Sequence, residues 1–148
     1  MVDVHTDAHI NRPRADVAAY AGEPDNAPAW YGNIDTARWL TEPPLRLGSE
    51  LAFTAQFLGR TLNYNYEIVE LVPEEKLVMR TSEGPFPMQT TYTWRDAGPG
   101  TFMTLRNNGD PRGFSALAGA FMAPMMRRAM RKDLARLKEI LESSQPRT

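Results

Sequence analysis

The sequence contains no cysteine and no long apolar run, and each absence removes a class of protein. Without a thiol, the chain of 148 residues forms no disulfide, no thiolate metal site and no cysteine nucleophile. No apolar stretch approaches the roughly 20 residues that a membrane-spanning helix requires. The formal net charge of -1 gives no bulk attraction to nucleic acid or to anionic lipid. We therefore expect no nucleic-acid partner, no membrane span and a reducing, cytoplasmic location.

Residues with recognisable catalytic spacing are also scarce. The two histidines, His5 and His9, share one face of the first predicted strand with Asp7. Because that face is opposite the apolar set, we expect it to be solvated, and we predict neither a metal site nor a cofactor. Gly98-Pro99-Gly100 lacks the glycine run and the following helix that a phosphate loop needs. The strand carboxylates alternate outward, so no catalytic constellation is predicted and enzymatic activity stays open.

Alternation of apolar and polar residues predicts a series of short strands. The clearest are Ser49–Leu58 and Thr61–Val72, joined by a tight turn at Gly59-Arg60. The first turns Leu51, Phe53, Ala55 and Phe57 to one face, and the second turns Leu62, Tyr64, Tyr66 and Ile68 to one face. Further strands are predicted over Val4–Ile10, Ala37–Thr41, Leu77–Ser82, Gln89–Arg95 and Thr101–Asn107. Short turns between consecutive strands favour an antiparallel meander with one apolar face that needs a cover.

Helical patterns flank this run of strands. Two short helices are predicted, from Pro13 to a stop at Gly22 and from Pro24 through Tyr31. A long C-terminal helix is predicted over Phe114–Ser143, with its apolar residues at Phe121, Met122, Met125, Met126, Met130, Leu134, Leu137 and Leu141. It is the only predicted element long enough to cover the sheet. Residues 1–148 are thus expected to form one α+β domain, with a seven-stranded antiparallel sheet, two short helices and this long helix packed over it.

Five segments carry a resemblance to a known superfamily, and they follow each other in its order. They are Ile10–Val17, Ala29–Tyr31, Ile68–Leu77, Gly100–Thr104 and Asp133–Glu142. This series resembles the SRPBCC superfamily, whose helix-grip fold is shared by START lipid-transfer domains, the birch pollen allergen and polyketide cyclase/dehydrase-like proteins. The resemblance implies a curved sheet gripping the long helix. It leaves function open, because such proteins bind, transport, cyclise or sense many ligands.

The resemblance and the apolar inward faces together predict a cavity for a small hydrophobic molecule between the sheet and the long helix. The alternative, that the same side chains fill a solid core, stays open. The residues predicted to contact the ligand are Phe53, Phe57, Tyr64, Tyr66, Met79, Tyr92, Trp94, Phe121 and Met125, with Trp30 or Tyr31 at the rim. We expect the loops at Gly84–Pro87 and Gly109–Gly119 to form the mouth.

Two functions suit such a cavity. The first is a carrier or sensor of a lipid, polyketide or aromatic metabolite, acting as a monomer or homodimer. The second, implied by the resemblance, is a cyclase, aromatase or dehydratase. In that case Tyr64, Tyr66, Tyr92 and, with less support, Arg106 would polarise substrate carbonyls.

Overall fold

The computed structural model of the protein describes residues 2–57, 59–83, 87–109 and 116–143, excluding the side chains of residues 57 and 116–121. Seven strands and a long C-terminal helix confirm the predicted α+β class. The elements are β1 (Val2–Ile10), α1 (Arg14–Ala21), a 3-10 turn (Pro24–Asn26), α2 (Ala27–Trp30), β2 (Ile34–Trp39), β3 (Glu50–Phe57), β4 (Arg60–Val72), β5 (Lys76–Glu83), β6 (Met88–Ala97), β7 (Gly100–Gly109) and α3 (Ala116–Ser143).

The strands form one curled antiparallel sheet in the order β1-β7-β6-β5-β4-β3-β2. From β2 to β7 each strand pairs with the next along the chain, which is the predicted meander. β1 instead pairs with β7, from Val2 opposite Gly109 to Ile10 opposite Thr101. The first and last strands of the chain therefore lie side by side, and α1 and α2 occupy the connection between the two sheet edges.

The alternation predicted for β3 and β4 is confirmed. Phe53 lies opposite Tyr64, and Leu51 lies opposite Tyr66, on the concave face of the sheet. Leu51 and Phe53 are only 1% and 6% exposed, whereas Gln56 on the other face is exposed. A period of two places every second side chain on one face, so these aromatic residues form a continuous apolar surface.

β2 lies earlier in the chain than predicted. The sequence pattern favoured Ala37–Thr41, but the strand runs over Ile34–Trp39. A register shift between Ile34 and Thr36 breaks the alternation that a sequence pattern detects. Beyond Trp39 the chain still bonds to Glu50. The Leu40 N–H donates to the Glu50 carbonyl at 2.9 Å, and the Thr41 hydroxyl accepts a hydrogen bond of 3.0 Å from the Glu50 N–H.

The apolar stripe of α3 covers part of the concave face. Its buried members are Met122, Met126, Met130, Leu134, Leu137 and Leu141, all at most 8% exposed. Their spacing of three or four residues keeps them on one side of the helix, which packs against β1. Burying one such side chain stabilises the fold by about 1.5–3 kcal/mol. None of the described helices combines the length and the apolar character needed to cross a membrane.

The outer face of β1 carries both histidines, as predicted. The His5 side chain is 65% exposed and lies 3.3 Å from Asp3. The His9 Nε2 lies 3.0 Å from the Ala97 carbonyl oxygen. Within the described ranges, no three His, Asp or Glu side chains are grouped so that they could hold a metal ion.

Polar contacts fix the C-terminal end of α3 to the exit of β1. The Arg12 guanidinium donates from Nη1 to the Leu141 carbonyl at 2.8 Å and from Nη2 to the Asp16 carboxylate at 2.8 Å. The Glu142 carboxylate accepts from the Asn11 N–H at 2.8 Å. The last carbonyls of a helix have no partner within it, so Arg12 satisfies a group that would otherwise need water. These bonds hold α3 over the sheet.

We expect Arg12→Ala to lower the free energy of unfolding by about 1.5–3 kcal/mol, because it removes charge-assisted hydrogen bonds from a side chain that is only 11% exposed. Arg136→Ala is the matched control, since that guanidinium is 56% exposed and lies 3.6 Å from Glu139. We expect the control to cost less than about 0.5 kcal/mol. Urea denaturation of both variants measures the difference, and equal losses would contradict the role given to Arg12.

Candidate functional site

A cavity of about 150 Å³ lies between the concave face of the sheet and α3. A dry apolar cavity of about this volume accepts a molecule such as benzene. Ala129, an exposed residue of α3, is part of the wall, so the cavity reaches the surface beside the helix. The lining residues are Ala27, Tyr31, Asn33, Ile34, Phe53, Ala55, Tyr64, Tyr66, Met79, Met88, Thr90, Asn107, Met126, Ala129, Met130 and Asp133.

One wall is aromatic and comes from β3 and β4. The Phe53 ring meets Tyr66 edge-on at 5.5 Å between centroids, and Tyr64 lies 5.9 Å from Tyr66. Burial raises the pKa of Tyr64 to about 12 and raises the pKa of Tyr66 further. Both phenols are therefore protonated at neutral pH. They can donate hydrogen bonds to a ligand but cannot act as bases.

Three methionine side chains line the cavity, two on α3 opposite the aromatic wall and one on β5 beside that wall. Met126 and Met130 reach the cavity from α3 and are 8% and 3% exposed. Met79 reaches it from β5 and is 7% exposed. Methionine is unbranched and polarizable, so it can change rotamer and fit ligands of different outline. The helix side of the cavity is thus suited to variable apolar shapes.

A pair of hydrogen-bonded phenols lies at the α2 end of the cavity. The Tyr31 and Tyr92 hydroxyl oxygens are 2.5 Å apart. α2 ends at Trp30, and the extended backbone of Tyr31 that follows turns its ring towards the sheet. The Trp30 ring packs against both phenols, at 4.1 Å from Tyr31 and 5.8 Å from Tyr92. Burial raises the pKa of each phenol, so both stay protonated.

A carboxyl group completes this polar end. Asp133 lies on the apolar stripe of α3, is only 5% exposed and lines the cavity. Its Oδ1 accepts a hydrogen bond of 2.9 Å from the Gly32 N–H, the residue after Tyr31. Burial raises the pKa of Asp133 to about 6, and the Gly32 bond opposes that rise only partly. The charge of Asp133 also raises the pKa of Tyr31 and of Tyr92, after the larger effect of their own burial.

A second polar pair lies on β6 and β7. The Thr90 hydroxyl donates to the Asn107 Oδ1 at 2.6 Å, and the two residues face each other across the strands. Tyr66 lies close enough to Thr90 for a hydrogen bond between their hydroxyls, which lowers the pKa of Tyr66 against the larger rise from burial. The cavity therefore has apolar walls with polar groups at separate positions, the usual composition of a small-molecule site.

The structure brings five of the predicted ligand-contacting residues into the cavity wall. These are Tyr31, Phe53, Tyr64, Tyr66 and Met79. Their binding of a ligand stays a prediction.

Three other predicted residues lie behind the wall instead. Trp30, Tyr92 and Trp94 are 1%, 3% and 5% exposed and belong to the hydrophobic core. Trp30 or Tyr31 is expected at the rim. Tyr31 lines the cavity, whereas the Trp30 ring packs against Tyr31 and Tyr92. Trp94 packs instead near Gly22, at the end of α1.

Met125 is not a lining residue of the cavity either. Its side chain is 42% exposed on the outer side of α3, and Met126 lines the cavity in its place. One residue along a helix turns a side chain by about 100°. The side chains of Phe57 and Phe121 lie outside the described residues, as do most of the two segments predicted to form the mouth.

Asp133 lines the cavity but is not among the residues predicted to contact a ligand. Arg106, suggested as a group that polarises a substrate carbonyl, does not line the cavity. Arg106 lies on the outer face of the sheet, and its guanidinium donates two hydrogen bonds to the Asp3 carboxylate, at 2.9 and 2.7 Å. A signal for Asp133 exists in the sequence. Counting back from Leu137 in steps of four and three residues reaches Asp133, Met130 and Met126, so a carboxylate lies on an otherwise apolar stripe.

Asp133 makes the stability of the protein depend on pH. Because burial raises its pKa from 3.8 to about 6, folding takes up a proton between these pH values. The stability present below about pH 4 is therefore lost as the pH rises through about 6. We expect Asp133→Asn, which keeps an acceptor for Gly32, to match the wild type near pH 4 and to exceed it by up to about 3 kcal/mol near pH 8.

Urea denaturation across this pH range measures the effect, and Asp7→Asn on the exposed face of β1 is the control. A constant offset between Asp133→Asn and the wild type at all pH values would show that Asp133 does not titrate as described.

Comparisons with known proteins agree on one fold. The family described as polyketide cyclase / dehydrase and lipid transport matches residues 1–142. No curated protein matches the chain at a significant level. A Thermus thermophilus protein, TTHA0849, is 17% identical with a TM-score of 0.82, over 97% of this chain and 99% of that chain. A START superfamily protein from Mycobacterium smegmatis is 11% identical with a TM-score of 0.82, over 97% and 99%.

An aromatase/cyclase, Zhui from Streptomyces sp. R1128, is 13% identical with a TM-score of 0.77, over 95% of this chain and 93% of that chain. The TM-scores establish the helix-grip fold that the resemblance implied. Sequence identities this low leave function open. The match over residues 1–142 is the stronger finding, because it covers nearly all of the sequence. The chain therefore belongs to the polyketide cyclase / dehydrase and lipid transport family of the SRPBCC superfamily.

Proposed function

We propose that this protein binds a small apolar molecule in the cavity under α3 and acts as its carrier or sensor. The observation that carries the proposal is the cavity itself, about 150 Å³ in volume, with aromatic and methionine walls. Transfer of apolar surface from water into such a site is favourable, in proportion to the area buried. Membership of a family that includes lipid-transport proteins supports the same function.

The volume sets the scale of the ligand. About 150 Å³ suits a single ring or a short alkyl chain, whereas a larger polyketide or lipid needs the walls to move. The side chains of Met79, Met126 and Met130 are the part of the lining that can move, since methionine changes rotamer at low cost. The aromatic wall on β3 and β4 is held by the strand ladder and provides a fixed surface for a ring.

A filled cavity should no longer bind an apolar probe. Ala55 is 6% exposed on β3 and lines the cavity, so Ala55→Leu extends a side chain into it. Ala52 is on the opposite face of the same strand, and Ala52→Leu is the matched control. We expect p-xylene to bind the wild type with a Kd on the order of 0.1–1 mM.

Isothermal titration calorimetry should show that Ala55→Leu weakens p-xylene binding about tenfold or more, while Ala52→Leu leaves it unchanged. Equal p-xylene affinity in all three proteins, or no p-xylene binding to the wild type, would contradict the proposed binding function.

A second function, catalysis on a carbonyl substrate, is favoured by the phenols in the wall. Tyr64 and Tyr66 line the cavity, and burial keeps both protonated by raising the pKa of each. Fixed hydroxyl donors in a water-poor site can polarise a carbonyl oxygen and stabilise the charge that develops on it. This is the chemistry that a cyclase or dehydratase needs, and an aromatase/cyclase shares the fold.

Native mass spectrometry of protein purified from its host should reveal a retained molecule, and that molecule separates the two functions. If the protein is a carrier, we expect Tyr66→Phe to release the molecule chemically unchanged and with similar affinity. If it is an enzyme, the same variant should lose about a hundredfold in kcat with little change in Kd. Tyr20→Phe on α1, outside the cavity wall, is the control for loss of a phenol hydroxyl.

A further inference from the structure

We propose that Asp133 and the Tyr31–Tyr92 pair select ligands that carry a hydroxyl group, so that Asp133 is the specificity-determining residue of the cavity. This inference rests on the proposed binding function and adds the chemical class of the ligand. Three features support it: a largely buried Asp133 side chain in which only Oδ1 is hydrogen-bonded by the described residues, a phenol pair in which one proton is not used between the two oxygens, and the position of both groups at the α2 end of the cavity.

The Asp133 carboxyl group lacks one hydrogen bond. Asp133 is only 5% exposed. Among the residues that the structure describes, the Gly32 N–H at 2.9 Å from Oδ1 is its hydrogen-bond donor. Oδ2 has no hydrogen-bond partner among the described residues, and Asp133 is one of the lining residues of the cavity. A carboxylate held this way is costly unless a ligand supplies a donor.

The phenol pair supplies the complementary group. In a bond between two hydroxyls one proton lies between the oxygens, so Tyr31 and Tyr92 use one of their two protons on each other. The other proton can turn to a third oxygen. Tyr31 lines the cavity together with Asp133, and it directly precedes Gly32, which binds that carboxylate. A donor and an acceptor are thus presented at the same end of the cavity.

A ligand hydroxyl fits this arrangement better than other oxygen groups do. It can donate its proton to Asp133 and accept a hydrogen bond from the phenol pair at the same time. A ketone oxygen only accepts, so Asp133 would stay without its second donor. A ligand carboxylate would place two negative charges together in a buried site. A hydrocarbon satisfies neither group, although it fills the same volume.

The charged groups around Asp133 leave the carboxylate available to a ligand. The charge of Asp133 raises the pKa of two neighbouring side chains, Tyr31 after α2 and Tyr92 on β6. Its partner from the chain is the backbone N–H of Gly32. No Lys or Arg of the described residues forms an ion pair with Asp133. The position is therefore set up to receive a donor from outside the chain.

The test compares two probes of nearly equal shape, p-cresol and p-xylene, which differ by a hydroxyl in place of a methyl group. We expect calorimetry at neutral pH to show p-cresol binding the wild type about tenfold more tightly than p-xylene. In Asp133→Asn the Gly32 bond can persist, but the second position becomes an NH2 donor. The ratio of p-cresol to p-xylene affinity should then fall to about twofold or less.

Tyr31→Phe should reduce the preference in part, and Asp7→Asn on the outer face of β1 should leave it intact. Equal affinity of both probes for the wild type would overturn the inference while leaving the proposed binding function in place. An unchanged preference in Asp133→Asn, or tighter binding of benzylamine than of p-cresol, would also overturn it. Failure of both probes to bind would overturn the inference and the proposed function together.

Discussion

One helix has to cover a sheet that is wider than the helix, and this mismatch shapes the rest of the protein. Strands lie about 4.8 Å apart, so seven of them span roughly 30 Å. A helix with its side chains is only about 10 Å across. α3 packs along β1, and α1 and α2 cover other parts of the concave face. Curling of the sheet closes part of the remaining gap, and the space left above β3–β6 is the cavity.

Polar contacts hold the second half of α3 in place beside the sheet. Arg12 binds the Leu141 carbonyl where β1 ends, and Asp133 binds the Gly32 N–H where α2 ends. Both contacts attach α3 to the segment that connects β1 to β2. The cost appears at Asp133, whose buried carboxyl group has a raised pKa. A ligand that pairs with this group would recover part of that cost.

The sequence predicts the sheet better than the site, for a physical reason. Strand alternation has a period of two, so the inward positions of Phe53 and Tyr64 follow directly from the pattern, and the structure confirms them. On a helix, successive side chains point about 100° apart, so an error of one residue changes the predicted face. Met125 is predicted to contact the ligand, but its neighbour Met126 lines the cavity. The helical spacing counted back from Leu137 includes Met126 and Asp133 and does not include Met125. The Tyr31–Tyr92 contact joins residues distant in sequence, so no local pattern reveals it.

The central claim is that a ligand-sized apolar space survives between the sheet and α3. A crystal structure under xenon pressure tests it most directly, because xenon enters apolar cavities and scatters strongly. We expect xenon to bind between Phe53, Met79 and Met130 without movement of the surrounding strands. Crystals with no xenon at this position, and with the methionine side chains packed against the β3–β4 aromatic wall, would contradict it.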